Sequence, residues 1–262
     1  MGKRITIIGQ GLAGTCLAWR LHDRGVEFQL LDRECGPGSS RAAAGLVTPV
    51  TGKGMNPSWK LEHFLGEALG FYRAVEERLG TRFYHEVPIV RLFRGAEERA
   101  KFEGKREELG SWVGELDPSL DARLKAPWGG VTWTGSGWLD TREFLEASRT
   151  YFSGIGCYEK RFVDLCGEHR GPTVACLGAA GLGEGPFGFL PERRAKGEIV
   201  TVKIPGLHEE RIVSRAGWLI PLGGQRYRAG ATYGWEDFSG RPTREGLAEL
   251  EILVRSFTCL LY

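Results

Sequence analysis

The strongest constraint on this chain lies in its first 32 residues. Residues 4–8 (Arg-Ile-Thr-Ile-Ile) are rich in β-branched side chains and read as a short buried strand ending at Gly9. Gly9-Gln10-Gly11-Leu12-Ala13-Gly14 follows. Residues 11–23 then take a helical period, with Leu12, Cys16 and Trp19 inward and Leu17 and Leu21 beside them. Gly25 stops that helix. Residues 26–31 read as a second strand, closed by Asp32. A strand–loop–helix–strand unit with such a crossover makes its two strands parallel.

Each glycine has a physical task in such a unit. Gly9 permits the tight turn, Gly11 lets backbone approach a pyrophosphate, and Gly14 lets helix and strand pack closely. The helix N-terminus offers N–H groups and a partial positive charge to phosphates. Asp32 stands where a carboxylate accepts hydrogen bonds from ribose hydroxyls, and it argues against the extra phosphate of NADP. The spacing alone is weak: with 39 Gly in 262 residues, chance supplies roughly one match. A second match does occur at 183–188, but Pro186 and Pro191 make it a loop. The strand before and the helix after set the first match apart. NAD and FAD both remain open at this point. The small residues of 38–46 (Gly-Ser-Ser-Arg-Ala-Ala-Ala-Gly-Leu) suit either a plain surface loop or a seat for a large flat ring.

Further along, 47–59 carries Pro49, Pro57 and three glycines and should be irregular. Helices are expected at 60–79, 96–109, 141–151 and 243–257, with Asp140 as an N-cap and 96–109 exposed. Strands are expected at 83–93 (broken at Pro88), within 128–138, at 161–165 and at 173–177. The run 197–204, 211–222 and 227–232 has no helix between its strands and suggests an antiparallel sheet. The chain thus alternates strand and helix in some parts and runs strand after strand in others, which implies two interleaved domains.

Composition narrows the class. A chain of 262 residues with 42% apolar residues buries a sizeable core and is neither disordered nor a disulfide-stapled miniprotein. A formal net charge of +2 argues against a dedicated nucleic-acid binder, though a local basic patch stays compatible with it. The six cysteines (16, 35, 157, 166, 176 and 259) form no CxxC pair and no metal spacing with His, and read as buried reduced thiols. No stretch is long and apolar enough for a transmembrane helix, and a cytoplasmic location is expected. The opening residues loosely fit lipidation and signal patterns, but strand, loop and helix already use them.

Taken together, Gly9 to Gly14, Asp32, the Ser39-Ser40-Arg41-Ala42-Ala43-Ala44-Gly45 loop and Gly137-Trp138-Leu139-Asp140 resemble the D-amino-acid oxidase superfamily of FAD-dependent oxidoreductases, in its glycine-oxidase-like form. Val174-Ala175-Cys176-Leu177-Gly178-Ala179 resembles the family's second FAD-contacting strand and turn. Lys196-Gly197-Glu198-Ile199-Val200 resembles its RGE strand, and Trp218-Leu219-Ile220-Pro221 with Gly230-Ala231-Thr232 resembles the substrate-domain hairpin. The resemblance implies an α/β fold: a Rossmann-like FAD-binding domain with a parallel sheet (1–70 and 137–190), interleaved with an antiparallel-sheet α+β substrate domain (71–136 and 191–262). It implies that Gly9, Gly11, Leu12, Ala13 and Gly14 hold the pyrophosphate and that Asp32 and Arg33 face the adenosine ribose. Ser40 and Arg41 would sit near the phosphates, and Ala44, Gly45 and Leu46 beside the isoalloxazine ring. Val163 would contact adenine and Gly178 complete the pocket wall. Arg41 stands where some relatives carry a flavin-bonded His, which argues against such a bond here. The family pattern continues past Cys259-Leu260-Leu261-Tyr262, so the sequence reads as C-terminally truncated. The 48–59 loop also departs from that of glycine oxidase.

In this superfamily the flavin carries the chemistry and the protein orients it. The implied reaction is oxidation of a C–N bond in a small amine or amino acid, with oxygen or another acceptor closing the cycle. No general base is obligatory if the amine arrives neutral, and no His-Asp dyad is evident. His22 and His169 fall on stretches expected to be exposed, while His63 and His85 read as structural. Substrate-side candidates are Met55, Trp59, Tyr227, Tyr233 and Arg228, the last for a carboxylate; for each, packing the sheet is the favoured reading. The alternatives are an FAD-dependent enzyme of tRNA wobble-uridine modification, an NAD-linked dehydrogenase, and a catalytically incomplete nucleotide-binding fragment.

Overall fold

The computed structural model describes residues 4–33, 38–52, 54–167, 171–181 and 185–260. Cys35, Lys53, His169 and the start of the second glycine match, Gly183-Glu184, lie outside them. The chain divides into two compact units. The first comprises Met1–Ala43, Arg73–Phe83 and Asp140–Arg194; the second comprises Ala44–Tyr72, Tyr84–Leu139 and Ala195–Tyr262. These boundaries differ from the expected cuts in four places; the two short ones are residues 137–139, in the second unit, and 191–194, in the first. Residues 44–70 fall in the second unit, because Leu46–Val47 pairs with Gly137–Leu139. Residues 73–83 fall in the first, where the Phe83 ring lies 5.1 Å from that of Phe144.

The first unit is built on β1 (Ile5–Ile8), α1 (Leu12–Asp23) and β2 (Phe28–Asp32). Its sheet has four parallel strands, in the order Tyr158–Lys160, β2, β1, Thr173–Ala175. The core is aromatic. Trp19 lies 4.7 Å from Phe152, Phe28 lies 5.5 Å from Phe152, and the Trp19 indole N–H donates to Ser148 Oγ at 2.9 Å. This joins α1 to the helix Thr141–Gly154, whose Asp140 cap accepts from the Glu143 N–H as expected. On α1 the buried stripe is Gly14, Thr15, Ala18 and Trp19; of the three residues expected inward, Trp19 is buried, and Leu12 and Cys16 are half-buried. Small residues carry it because the helix start packs tightly on β1. The strand expected at 161–165 is displaced to Tyr158–Lys160; β2 ends at Asp32, so pairing stops at Lys160.

The second unit carries a seven-stranded sheet, in the order Ile199–Lys203, Arg226–Gly230, Trp218–Pro221, Ile212–Ser214, Ile89–Leu92, Gly130–Trp133, Val113–Leu116. It is antiparallel except where Ile212–Ser214 runs parallel to Ile89–Leu92, so the expected antiparallel sheet is in fact mixed. One apolar cluster gathers Val90, Val213, Leu219, Tyr227 and Ala229 with Val254 and Phe257 of the helix Arg244–Phe257. A second gathers Met55, Ile89, Trp133, Trp138, Ile212 and Ile220. The largely exposed helix Ala96–Leu109 is anchored by Phe102 and Leu109, both fully buried.

The five described cysteines are free, but none is fully buried: Cys16, Cys157 and Cys176 are half-buried, and Cys166 and Cys259 exposed. His22, expected to be exposed, is half-buried against Tyr151, whose hydroxyl lies 2.9 Å from His22 Nε2.

Candidate cofactor site

The site begins where β1 gives way to α1. Gly9 has φ +103°, and a Cβ there would lie 2.3 Å from the Cys176 carbonyl oxygen. A Cβ on Gly14 would lie 1.9 Å from the Gly9 carbonyl oxygen. Neither place admits a side chain, so the loop lies flush between two strands and a helix. The Cys176 N–H donates to the Ile8 carbonyl at 2.7 Å, which continues the sheet beside the loop. Burial pushes the Cys176 thiol pKa up, so it stays protonated.

Gly11 caps α1 without a side chain, and no acidic residue stands in the helix's first turn. The positive end of the helix dipole therefore meets no carboxylate of that turn. Ser40 in α2 (Ser39–Ala42) reaches this end instead, and its Oγ accepts from the Leu12 N–H at 3.1 Å. Arg41 Nη2 lies 3.5 Å from Gln10 Oε1, and the Arg142 guanidinium donates to the Arg41 carbonyl at 3.0 Å. Gln10 is 3% exposed and anchors the loop by donating to the Leu145 carbonyl at 2.8 Å.

Asp32 closes β2, and its carboxylate accepts from the Gln10 N–H at 3.2 Å. Beside it opens a cavity of about 200 Å³ lined by Gly9, Asp32, Arg33, Val163 and Leu177, among others. Residues 161–166, which leave the sheet after Lys160, form one wall of this cavity. Gly178 opens the 3₁₀ turn Gly178–Gly181, whose last residue also lines the cavity. The first unit therefore brings Gly9, Gly11, Leu12, Ala13, Gly14, Asp32, Arg33, Ser40, Arg41, Val163 and Gly178 into one region.

Comparison with known proteins bears on what this region holds. A family model described as FAD dependent oxidoreductase (DAO) matches residues 4–258. The chain belongs to this FAD-dependent oxidoreductase family. Among curated proteins it is 27% identical, over 99% of its length, to the tRNA 5-methylaminomethyl-2-thiouridine biosynthesis bifunctional protein MnmC of Azoarcus sp. strain BH72. It spans 46% of that protein. Solved structures share the fold. Glycine oxidase from Geobacillus kaustophilus superposes with a TM-score of 0.78 at 19% identity, over 98% of this chain and 78% of that one. Iminodiacetate oxidase from Chelativorans sp. BNC1 gives 0.74 at 19%, over 97% and 79%. L-Proline dehydrogenase from P. horikoshii gives 0.74 at 17%, over 98% and 77%.

The residues fit the cofactor of this FAD-dependent family. The glycine cradle has no room for a Cβ, the α1 N-terminus has no acidic residue in its first turn, and a carboxylate lines the neighbouring cavity. The remaining expected residues lie in the second unit. Leu46 pairs with Trp138, the Gly45 carbonyl accepts from the Leu139 N–H at 2.9 Å, and Ala44 and Leu46 pack on the cluster containing Met55 and Trp138.

The substrate-side candidates fare differently. Met55 is 2% exposed and is a core residue. Tyr227 is likewise core, its hydroxyl shared between the Leu207 and Glu209 carbonyls at 3.1 Å each. Trp59 and Tyr233 are 75% and 70% exposed; Trp59 lies against Phe64 and Tyr233 against Trp235. Arg228 is half-buried, its guanidinium 5.7 Å from the centre of the Trp138 ring. His85, read as structural, stacks on the same indole at 4.2 Å. Sequence reading passed over Gln10 as a loop anchor and, apart from Val163, the segment 161–166 as cavity wall. That segment reads as a short strand, but β2 ends at Asp32 and the parallel ladder stops at Lys160.

Among the described residues, no group of three His, Cys, Asp or Glu is placed to hold a metal ion. No helix there is long and apolar enough to cross a membrane.

Proposed function

We propose that the first unit binds FAD and that the chain oxidises a C–N bond of a small amine or amino acid, with oxygen or another electron acceptor as co-substrate. The observation that carries this is the cradle: glycines that admit no side chain, at the start of a helix, beside a cavity lined by the carboxylate that ends β2. Backbone of Gly9, Gly11, Leu12, Ala13 and Gly14 would hold the pyrophosphate. Asp32 and Arg33 would bind the ribose, Val163 and Gly178 flank the adenine, and Ser40 and Arg41 stand by the phosphates. Ala44, Gly45 and Leu46 would lie along the ring. FAD, when bound, supplies a two-electron acceptor for the hydride on carbon beside an amine nitrogen, which leaves the substrate as an imine. The protein's share is to hold the amine neutral, orient that C–H bond and exclude competing water.

The test is the visible spectrum of the purified chain after incubation with FAD and desalting, followed by a screen of amines for hydrogen peroxide release. A retained flavin spectrum is expected. A folded, colourless protein would overturn the reading.

A second reading has its own support in the likeness to MnmC over 99% of the chain. Here the amine would be a side chain on a tRNA wobble uridine. Retardation of tRNA by the FAD-loaded chain, with no oxidation of free amino acids, would favour it.

A further inference from the structure

The structure assigns Arg142 as a positioning residue of the proposed cofactor site: it seats the one-turn helix α2 against the start of α1, so that Ser40 and Arg41 are presented there. This deepens the flavoenzyme reading above and rests on it.

α2 has little of its own to keep it in place. A single turn of helix does not persist alone in water. None of Ser39–Ala42 is buried, and Gly38 caps the turn without a side chain. Its internal bonds run from the Arg41 and Ala42 N–H groups to the Gly38 carbonyl, and from the Ala43 N–H to the Ser39 carbonyl. The carbonyls that end the turn need partners from outside it.

Two of those partners are the first two residues of the helix Thr141–Gly154. The Arg142 Nε–H donates to the Arg41 carbonyl at 3.0 Å, and the Thr141 hydroxyl donates to the Ala43 carbonyl at 3.3 Å. That helix is itself fixed: Asp140 caps it, and Thr141, Phe144, Leu145, Ser148 and Phe152 are buried. A well-packed helix, about a hundred residues further along the chain, thus lends its place to a turn that buries nothing.

What α2 presents at α1 stands close. A Cβ on Gly11 would lie 3.1 Å from Ser40 Oγ, and that same Oγ accepts from the Leu12 N–H at 3.1 Å. Arg41 Nη2 lies 3.5 Å from Gln10 Oε1. The bond from Arg142 therefore fixes the backbone of one phosphate-side residue and the neighbour of the other. Arg142 is exposed, so losing its bond should loosen α2 without disturbing the core. A hydrogen bond of this kind moves an equilibrium by about two- to tenfold, and the equilibrium here is between α2 seated and α2 loose.

The experiment compares Arg142→Met, which keeps the stem and loses the donor, with Arg142→Gln, whose amide nitrogen stands where Nε stood and donates without a charge. Hydrogen exchange at the Leu12 amide, followed by NMR without FAD, reads whether Ser40 still covers it. Flavin fluorescence titration reads the Kd for FAD. Arg142→Met should speed Leu12 exchange and raise the Kd, each by about two- to tenfold, with Tm unchanged. Arg142→Gln should stay near wild type in both. In a Ser40→Ala background Leu12 exchange is already fast, and Arg142→Met should not speed it further. An Arg142→Met chain with wild-type Leu12 exchange or wild-type Kd overturns the inference. So does an Arg142→Gln chain as impaired as Arg142→Met, because the charge and not the donor would then be acting. Failure of the flavoenzyme reading is separate: it shows as a colourless wild type, and the Leu12 exchange still decides whether Arg142 seats α2.

Discussion

The Asp32 carboxylate accepts a hydrogen bond from the backbone N–H of Gln10 at 3.2 Å, tying the end of β2 to the middle of the glycine loop. One side chain thus both shapes the cradle and lines the cavity beside it. Two substitutions separate these tasks. Asp32→Asn keeps an oxygen for the Gln10 N–H but removes the charge; Asp32→Ala removes both. A hydrogen bond to a charged group is worth roughly 1.5–3 kcal/mol, so Asp32→Ala should weaken FAD binding by about tenfold or more and lower Tm. Asp32→Asn should lower affinity with little change in Tm. Flavin fluorescence titration and thermal unfolding read the two effects. Equal Tm losses in both variants would rule out the loop-fixing role.

Gly14→Ala forces a methyl to within 1.9 Å of the Gly9 carbonyl oxygen, and backbone has nowhere to go. The expected cost is at least the 1–3 kcal/mol of ordinary overpacking, with loss of flavin retention. Gly104→Ala is the matched contrast. It lies inside the helix Ala96–Leu109 with nothing within 4 Å of a new Cβ, and should stabilise by about 0.5–1 kcal/mol. Thermal unfolding of the two variants should therefore shift in opposite directions.

What the sequence reveals here follows from how local each interaction is. The β1–α1–β2 unit is written in adjacent residues, and the Asp140 cap lies three residues from its partner, Glu143. Ser40, which receives the first N–H of α1, is 28 residues away from Leu12, and no local pattern links them. Residues 161–165 read as a short strand, but β2 ends at Asp32 and the ladder goes no further than Lys160. The parallel pairing of Ile89–Leu92 with Ile212–Ser214 joins segments more than a hundred residues apart, which is why the sheet read as wholly antiparallel. For the candidate site, the glycines proposed to hold the pyrophosphate could be picked out because strand, glycine loop and helix are adjacent in the chain. Substrate-side residues could not, because an aromatic side chain looks the same in sequence whether it packs, as Tyr227 does, or faces solvent, as Trp59 does.

Glu198 sets an acid limit on the second unit. Burial pushes its carboxyl pKa up, but the N–H and hydroxyl of Thr243, at 2.9 and 2.8 Å, and Lys196 Nζ at 3.3 Å outweigh this and hold it below the usual range. A depressed folded-state pKa means the unfolded chain binds the proton more readily. The stabilisation is therefore full above the ordinary Glu value of about 4.3 and is lost as pH falls through the lower folded value. Glu198→Gln should be less stable at pH 7 and should lose less stability between about pH 5 and 2. Urea unfolding across that range checks it; parallel curves for the two proteins would count against the assignment.

Tyr227 behaves in the opposite sense at high pH. Its phenol is pushed up to about 12, first by burial and then by the charge of Glu209. Only the neutral hydroxyl can donate to the Leu207 and Glu209 carbonyls. With the folded pKa raised, the stabilisation is present below the ordinary Tyr value of about 10 and is lost as pH rises through about 12. Tyr227→Phe deletes the donor and leaves two carbonyls short of a partner, at a cost of about 1–3 kcal/mol at neutral pH. The variant should unfold earlier at pH 7 yet lose less stability than wild type between about pH 10 and 12. Phenolate absorbance should show one fewer late-titrating tyrosine in the folded variant. A Tyr227→Phe chain as stable as wild type at pH 7 would mean the shared hydrogen bond contributes nothing.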